Sequence, residues 1–118
     1  MTLESTLKPF RFLQLEEGGA SFFFMADCFY HDPLMQIITT RTAVSVEYFN
    51  GYQWAKLVST MIERDFPAMC DAFQMDPEAE MFAMSSKDSA LLEQVALHFR
   101  AILADEVQLR LLLDNLLA

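Results

Sequence analysis

Basic side chains are scarce in this chain of 118 residues, which has 8 Lys and Arg against 17 Asp and Glu. The formal net charge is −9 and the sequence pI is near 4.4. A chain this acidic repels the phosphate backbone, so we expect no direct binding to DNA or RNA. The same electrostatic field would speed the encounter with a basic protein.

Glycine and proline are also few, with three Gly and four Pro. So few turn-forming residues argue against an all-β sandwich, which needs many tight turns. Apolar residues make up 53% of the chain and charged residues 21%, so the chain should fold rather than remain disordered. The length fits one core, and we expect a single domain over residues 1–118.

No long hydrophobic run is present. The most apolar short stretch, residues 21–25, is far below the roughly 20 residues that a membrane-spanning helix requires. The N-terminus lacks the basic region followed by an apolar run that marks a signal peptide. The sequence therefore predicts a cytoplasmic protein that does not bind membranes.

Residues suited to catalysis are sparse. Cys28 and Cys70 have no metal-ligand spacing, and we expect both to be reduced and buried, with a single disulfide as the alternative. His31 beside Asp32 could be a general base with its orienting carboxylate, or part of a loop that begins a helix. No nucleophile signature, phosphate-binding loop or CxxC motif accompanies them. We expect no enzyme and no cofactor.

Two strands are predicted near the N-terminus, over residues 8–15 and 20–29, joined by a turn at Glu16-Glu17-Gly18-Gly19. In the first strand the apolar residues change face, which suggests a bulge or burial on both faces. Three consecutive Phe in the second strand predict a central strand that is covered on both sides.

Residues 32–48 carry a mixed pattern. Asp32 as N-cap and Pro33 at the first helical position predict a helix. The β-branched residues from Ile37 to Val46 alternate as in a strand instead. We therefore expect a short helix followed by a strand near residues 44–48.

The second half of the chain has helical periodicity. Asn50 or Gly51 can cap the first helix, Ser85-Ser86-Lys87-Asp88 has the outline of a helix start, and Asp105 begins a final helix. His98 should lie at the boundary of the core. The predicted core stripes are Trp54, Leu57, Val58, Met61 and Ile62; Leu92, Val95, Ala96, Phe99, Ile102 and Leu103; and Leu109, Leu112, Leu113 and Leu116.

Residues 73–84 bring three carboxylates, those of Asp76, Glu78 and Glu80, together around Pro77. Asp-Pro favours a turn, so we expect a β-hairpin or tight turn with an acidic tip in water. Alternating carboxylates could bind Ca²⁺ or Mg²⁺, but the Gly and distal Glu of an EF-hand loop are missing, and we expect no metal. Its arms should reach the core through Phe73, Met75, Phe82 and Met84.

The fold class that these elements predict is α+β. An N-terminal antiparallel β-hairpin or sheet packs against amphipathic helices, and the acidic hairpin or turn comes late in the chain.

Two motifs resemble the Imm51 family of immunity proteins from bacterial polymorphic-toxin systems. They are Asn50-Gly51-Tyr52-Gln53-Trp54 and Met75-Asp76-Pro77-Glu78-Ala79-Glu80-Met81-Phe82, the latter followed by Ser86-Lys87-Asp88 and a helix. The likeness covers about residues 50–103, with a general match of the N-terminal hairpin. The chain departs from the family at Gln53, where Asp is usual, and at Glu80, where Gly is usual.

The resemblance implies a protein that binds and neutralises one cognate toxin, often a nuclease with a basic cleft that an acidic edge could occupy. The alternative for Asp76 and Glu78 is a purely structural role in fixing the turn. Other functions that stay open are a small acidic secretion chaperone and a hydrolase, and the protein could be a monomer or a homodimer. The expected partner-binding residues are Asp71, Asp76, Glu78 and Glu80, with Tyr48 and Tyr52 as aromatic anchors.

Overall fold

The computed structural model describes residues 3–118, except for the side chain of Glu4. The predicted α+β class is confirmed: an antiparallel four-stranded sheet packs against helices. The strands are β1 Arg11–Gln14, β2 Ala20–Met25, β3 Gln74–Met75 and β4 Met81–Ser86. The helices are α1 Leu3–Leu7, α2 Pro33–Thr42, α3 Gly51–Asp65, α4 Ser89–Leu103 and α5 Glu106–Leu117, with 3₁₀ turns at Val46–Tyr48 and Pro67–Ala72.

The strands lie in the order β1-β2-β4-β3, so the N-terminal hairpin and the late hairpin meet at β2 and β4. Phe22 faces Met84 and Phe24 faces Phe82 across this central pair, and all four side chains are buried. Because side chains alternate along a strand, these residues define the inner face of the sheet.

The helices pack on that inner face. α3 contacts β4, α4 contacts both β2 and β4, and α5 lies against α2, α3 and α4. Trp54 of α3 has no exposed surface and packs its ring edge against Phe24, with 5.2 Å between ring centroids. Each such buried large side chain contributes about 1.5–3 kcal/mol to folding. The predicted helical stripes are confirmed, since all their residues are buried except Leu116, which is half-buried.

The opposite side of the sheet, called the outer face below, has no helix over it in the part of the chain that the structure describes. The pairing register places on it Arg11 and Leu13; Ser21, Phe23 and Met25; Met81, Ala83 and Ser85; and Gln74. The prediction that β2 is covered on both sides is therefore wrong, although its central position is confirmed. Phe23 is only half-buried, because the helices pack on the opposite face, where Phe22 and Phe24 lie.

Helix starts agree with the sequence in most places. Asp32 accepts a hydrogen bond from the amide of Leu34, Asn50 from the amides of Tyr52 and Gln53, and Asp105 from Val107 and Gln108. The helix predicted to start at Ser85–Asp88 begins at the end of that stretch, since Ser85 and Ser86 end β4 and α4 starts at Ser89. Asp88 itself is the cap, and its Oδ1 accepts from the amide of Leu91 at 3.0 Å.

The strand expected at residues 44–48 is also wrong. Ala43 ends α2 in the left-handed conformation, with φ of 59°, and Val46–Tyr48 forms a 3₁₀ turn. The β-branched run is helical up to Thr42 because Leu34, Met35 and Ile38 are buried. Tertiary burial therefore overrides the strand propensity of this segment.

The cysteines and the first strands differ in detail from expectation. Cys28 is half-buried and Cys70 is exposed, and neither forms a disulfide, so the predicted burial of Cys70 is wrong. The exposed 3₁₀ turn Pro67–Ala72 carries Cys70 away from the core. The two N-terminal strands are shorter than predicted: β1 covers only Arg11–Gln14, and a turn at residues 26–31 follows β2.

Candidate functional site

The two motifs that suggested a family are in direct contact. Gly51, the first residue of α3, donates its amide hydrogen to the carbonyl oxygen of Ala79 at 3.1 Å. A Cβ at this position would overlap the carbonyl oxygens of Glu78 and Met81, so only glycine fits. The tip of the late hairpin therefore rests on the N-terminus of α3.

A third segment fixes the same tip. The amide of Ala26, just after β2, donates to the carbonyl of Glu80 at 2.8 Å, and Trp54 Nε1 donates to the carbonyl of Ala26 at 3.1 Å. The tip is thus tied to the core through the buried indole of Trp54. Residues on it are held in place before any partner arrives, which lowers the entropic cost of binding.

The late hairpin keeps one register from β3 to its tip. Asp76 donates its amide to the carbonyl of Ala83, and Glu78 and Met81 exchange two backbone hydrogen bonds around the turn residues Ala79 and Glu80. Residues two apart share a face, so Asp76 and Glu78 lie on the outer-face side of the edge strand. The alternation of the carboxylates in the sequence therefore follows the alternation of side chains along an extended hairpin arm.

The predicted site residues fall into two groups. Glu78 and Glu80 are exposed at the tip, and Tyr48 and Tyr52 are 68% and 52% exposed on either side of the Asn50-Gly51 contact. Asp71 is exposed too, but it lies in the 3₁₀ turn before β3, at the opposite end of the sheet from the tip.

A cleft of about 580 Å³ adjoins the tip and contains carboxylates that sequence reasoning missed. Its lining includes Asp27, Glu47 and Glu80, together with the ring of Tyr30 and the side of Met25. Asp27 follows β2 and Glu47 precedes Tyr48, so both are close in sequence to predicted features. Only the packing of the β2 exit against the tip brings them together.

Asp71 lines a second cleft, of about 930 Å³, beside the turn between β1 and β2. Glu17 and Asp88 contribute carboxylates there and Lys87 a positive charge. Asp71 therefore does not lie with the tip carboxylates, although all were expected to bind one partner, because the length of the hairpin separates them.

The residues considered for catalysis make structural contacts or are chemically unreactive. Asp32 uses its carboxylate to cap α2 rather than to orient His31, which is exposed. Burial, and next the charge of Asp27, raise the pKa of the Cys28 thiol to about 12, so it stays protonated and is a poor nucleophile. Within residues 3–118, no three His, Cys, Asp or Glu side chains are grouped to hold a metal ion.

A small polar cluster joins α3, α4 and α5. Asp65 Oδ2 lies 2.8 Å from Nε2 of His98, and the guanidinium of Arg64 donates to both Asp65 oxygens at 2.8 Å and to Asn115 at 3.1 Å. The Arg64 hydrogen bonds, with a smaller contribution from His98, lower the pKa of Asp65. His98 thus lies at the core boundary, as its position predicted, with Phe66 against its ring.

Comparison with known protein families identifies the family to which this chain belongs. The profile described as Immunity protein 51 (Imm51) matches residues 28–116 of the 118 residues. The chain belongs to the Immunity protein 51 family. It is therefore an immunity protein of bacterial toxin systems, and the family is generally non-enzymatic.

The Imm51 match runs further than the resemblance read from the sequence. It includes residues 34–49, which carried no recognisable likeness, and both strands of the N-terminal hairpin lie outside it. A search of curated proteins and of solved structures gave no significant match. No helix within residues 3–118 is both long and apolar enough to cross a bilayer.

Proposed function

We propose that this Imm51 protein binds one cognate toxin of a polymorphic toxin system and blocks it with the acidic tip of the late hairpin. The observation that carries the proposal is the tip itself: Glu78 and Glu80 are exposed on a turn whose backbone is fixed by Gly51 and Ala26. Fixed carboxylates bind basic groups with little loss of conformational entropy.

The toxin that suits this surface is a basic one, and a nuclease is the class with the best reason to be basic. Its substrate cleft must hold phosphates, so carboxylates can occupy the same subsites. The net charge of −9 would steer the two proteins together and give an association rate that falls as salt is added. Tyr48 and Tyr52 supply exposed rings beside the carboxylates, as interface hot spots often do.

The first test is co-expression with the product of the neighbouring toxin gene, scored for survival and for co-purification. Rescue of a lethal product together with a one-to-one complex supports the proposal. A neighbour that is harmless and does not co-purify contradicts it.

The acidic tip is tested by reversing Glu78→Lys and Glu80→Lys together. A matched control reverses Glu93→Lys and Glu106→Lys, which changes the net charge equally but alters helices away from the tip. We expect the tip variant to lose toxin affinity and much of its salt dependence, whereas the control keeps tight binding. Equal affinity and equal salt dependence for the tip variant and the wild type would refute the acidic-tip mechanism.

A further inference from the structure

The outer face of the sheet carries more apolar surface than a solvent-facing sheet needs. In an antiparallel sheet with one solvent-exposed face, apolar and polar residues normally alternate along each strand. Here β2 and β4 are apolar at successive positions, in the runs Phe22–Met25 and Met81–Met84. Such runs are typical of strands that are covered on both sides, yet only the inner face is covered by the described residues.

The exposed side chains on this face are large. Leu13 on β1 is 54% exposed and Met25 on β2 is 49% exposed, and the half-buried Phe23, Met81 and Ala83 lie between or beside them. The apolar centre therefore extends across β1, β2 and β4, three adjacent strands. A contiguous apolar patch of this kind on a protein surface marks an interaction site.

Carboxylates stand around most of this apolar centre. Asp76 and Glu78 line the β3 edge, Glu80 lies at the hairpin tip, and Glu16 and Glu17 occupy the turn between β1 and β2. An apolar core with a charged rim is the usual anatomy of a protein–protein interface. The β3 edge and the hairpin tip are open to positive charges, whereas Lys87 lines the same cleft as Glu17 at the turn end and Arg11 lies at the β1 edge.

We propose that the outer face is the docking surface for the toxin, and that the acidic tip is one margin of this larger interface. The inference rests on the proposed function and adds where the toxin binds. The toxin would present an apolar patch against Leu13, Phe23 and Met25, with Lys or Arg side chains reaching the carboxylates around it. Binding then supplies the second cover that the sequence of β2 predicts.

Electrostatics favours a basic toxin as the partner of the outer face over a second copy of this chain or an anionic membrane. Two copies of this chain docked face to face would bring the same acidic margins together, and like charges in an interface are repulsive. An anionic membrane surface would be repelled in the same way. A basic protein with an apolar patch is complementary both to the apolar centre of the outer face and to its acidic rim.

The test measures toxin affinity by titration calorimetry at low and at high salt for a double variant, Leu13→Ser with Met25→Ser. Its control is Val107→Ser with Leu111→Ser, two comparably exposed apolar residues on α5. We expect the outer-face variant to bind at least about tenfold more weakly at both salt concentrations, with an unchanged salt dependence, because it removes apolar contact and no charge. The control should bind as the wild type does.

A second measurement leaves the apolar residues in place. Ser21→Cys, made together with Cys70→Ser, puts a small thiol on the outer face beside Leu13, and its alkylation rate is followed with and without the toxin. We expect the toxin to slow alkylation at least about tenfold, since a docked surface excludes the reagent. This result does not depend on whether the double variant folds.

The outcomes separate the two proposals. If the wild type neither binds nor protects against the toxin, the proposed function fails. If it does both, but the outer-face variant binds within about twofold of the wild type and the thiol introduced by Ser21→Cys stays reactive in the complex, only the docking surface is overturned. A wild-type dimer that the outer-face variant converts to monomer would also overturn it, by making this face an interface between two copies.

Discussion

Gly51 and Ala79 join the start of α3 to the tip of the late hairpin through one backbone hydrogen bond of 3.1 Å. The approach is so close that the space of a Cβ on Gly51 is occupied by the Glu78 carbonyl. Two segments that are far apart in sequence thereby become one surface. The carboxylates of the tip and the rings of Tyr48 and Tyr52 stand on that junction.

Replacing Gly51→Ala should destabilise the fold by about 1–3 kcal/mol, because the added methyl group must push two backbone carbonyls aside. In an open helix the same change would be stabilising. Urea denaturation measures the difference, with the adjacent exposed change Tyr52→Ala as a control expected to stay within about 0.5 kcal/mol of the wild type. A Gly51→Ala protein as stable as the wild type would show that the tip does not rest on α3.

Tyr48→Ala and Tyr52→Ala should each weaken toxin binding by about thirtyfold or more, the loss of about 2 kcal/mol that defines an interface hot spot. Both rings are exposed, so the melting temperature should hardly change. Calorimetric titration against the toxin gives the affinities, and Val107→Ala serves as the control at an exposed site on α5. If both Tyr variants bind as the wild type does, the aromatic anchors lie elsewhere.

The two thiols should react very differently. In the native protein at pH 8, a disulfide reagent such as DTNB should titrate Cys70 rapidly, since it is exposed. Cys28 should remain unreacted until denaturant is added, because its pKa is raised to about 12 and it is half-buried. A Cys70→Ser variant isolates Cys28. Rapid labelling of that variant without denaturant would contradict the expectation.

The Asp65 cluster should make stability depend on acid pH. The folded-state pKa of Asp65 lies below its ordinary value of 3.8, so its contribution is fully present above that value and is lost as the pH falls through the lower, folded-state pKa. Denaturation midpoints measured between pH 7 and pH 2 should therefore fall less steeply at the acid end for Asp65→Asn than for the wild type. Asp71→Asn, an exposed carboxylate outside the cluster, is the control, and parallel curves for Asp65→Asn and the wild type would exclude a role for the cluster.

The helices could be predicted because both their apolar periodicity and their capping residues are local features of the sequence. The residues from Trp54 to Ile62 repeat at the helical period, and Asn50, Asp32 and Asp105 each cap the helix that follows them. Residues 44–48 could not be predicted, because strand propensity there gave way to a turn that follows the burial of α2. Local sequence shows propensity but not the packing that overrides it.

The grouping of carboxylates around the hairpin tip could be predicted only in part, because some of it depends on contacts between segments distant in sequence. Asp76, Glu78 and Glu80 lie at alternate positions within five residues of sequence, so their grouping could be predicted directly. Asp27 and Glu47 join the neighbouring cleft only through contacts distant along the chain. The uncovered outer face was missed because three successive Phe residues predict burial on both sides, and a single chain does not reveal whether the second cover belongs to a partner.

The pairing of β2 with β4 also has a consequence for synthesis. Ser21 and Met84 are 63 positions apart, so the centre of the sheet closes only after most of the chain has left the ribosome. Until then β2 has just β1 beside it, and its Phe-rich edge is open to pairing with another chain. The speed at which α3 and the late hairpin reach β2 therefore determines how long a newly made molecule is exposed to aggregation, and how soon a cell gains a protective copy.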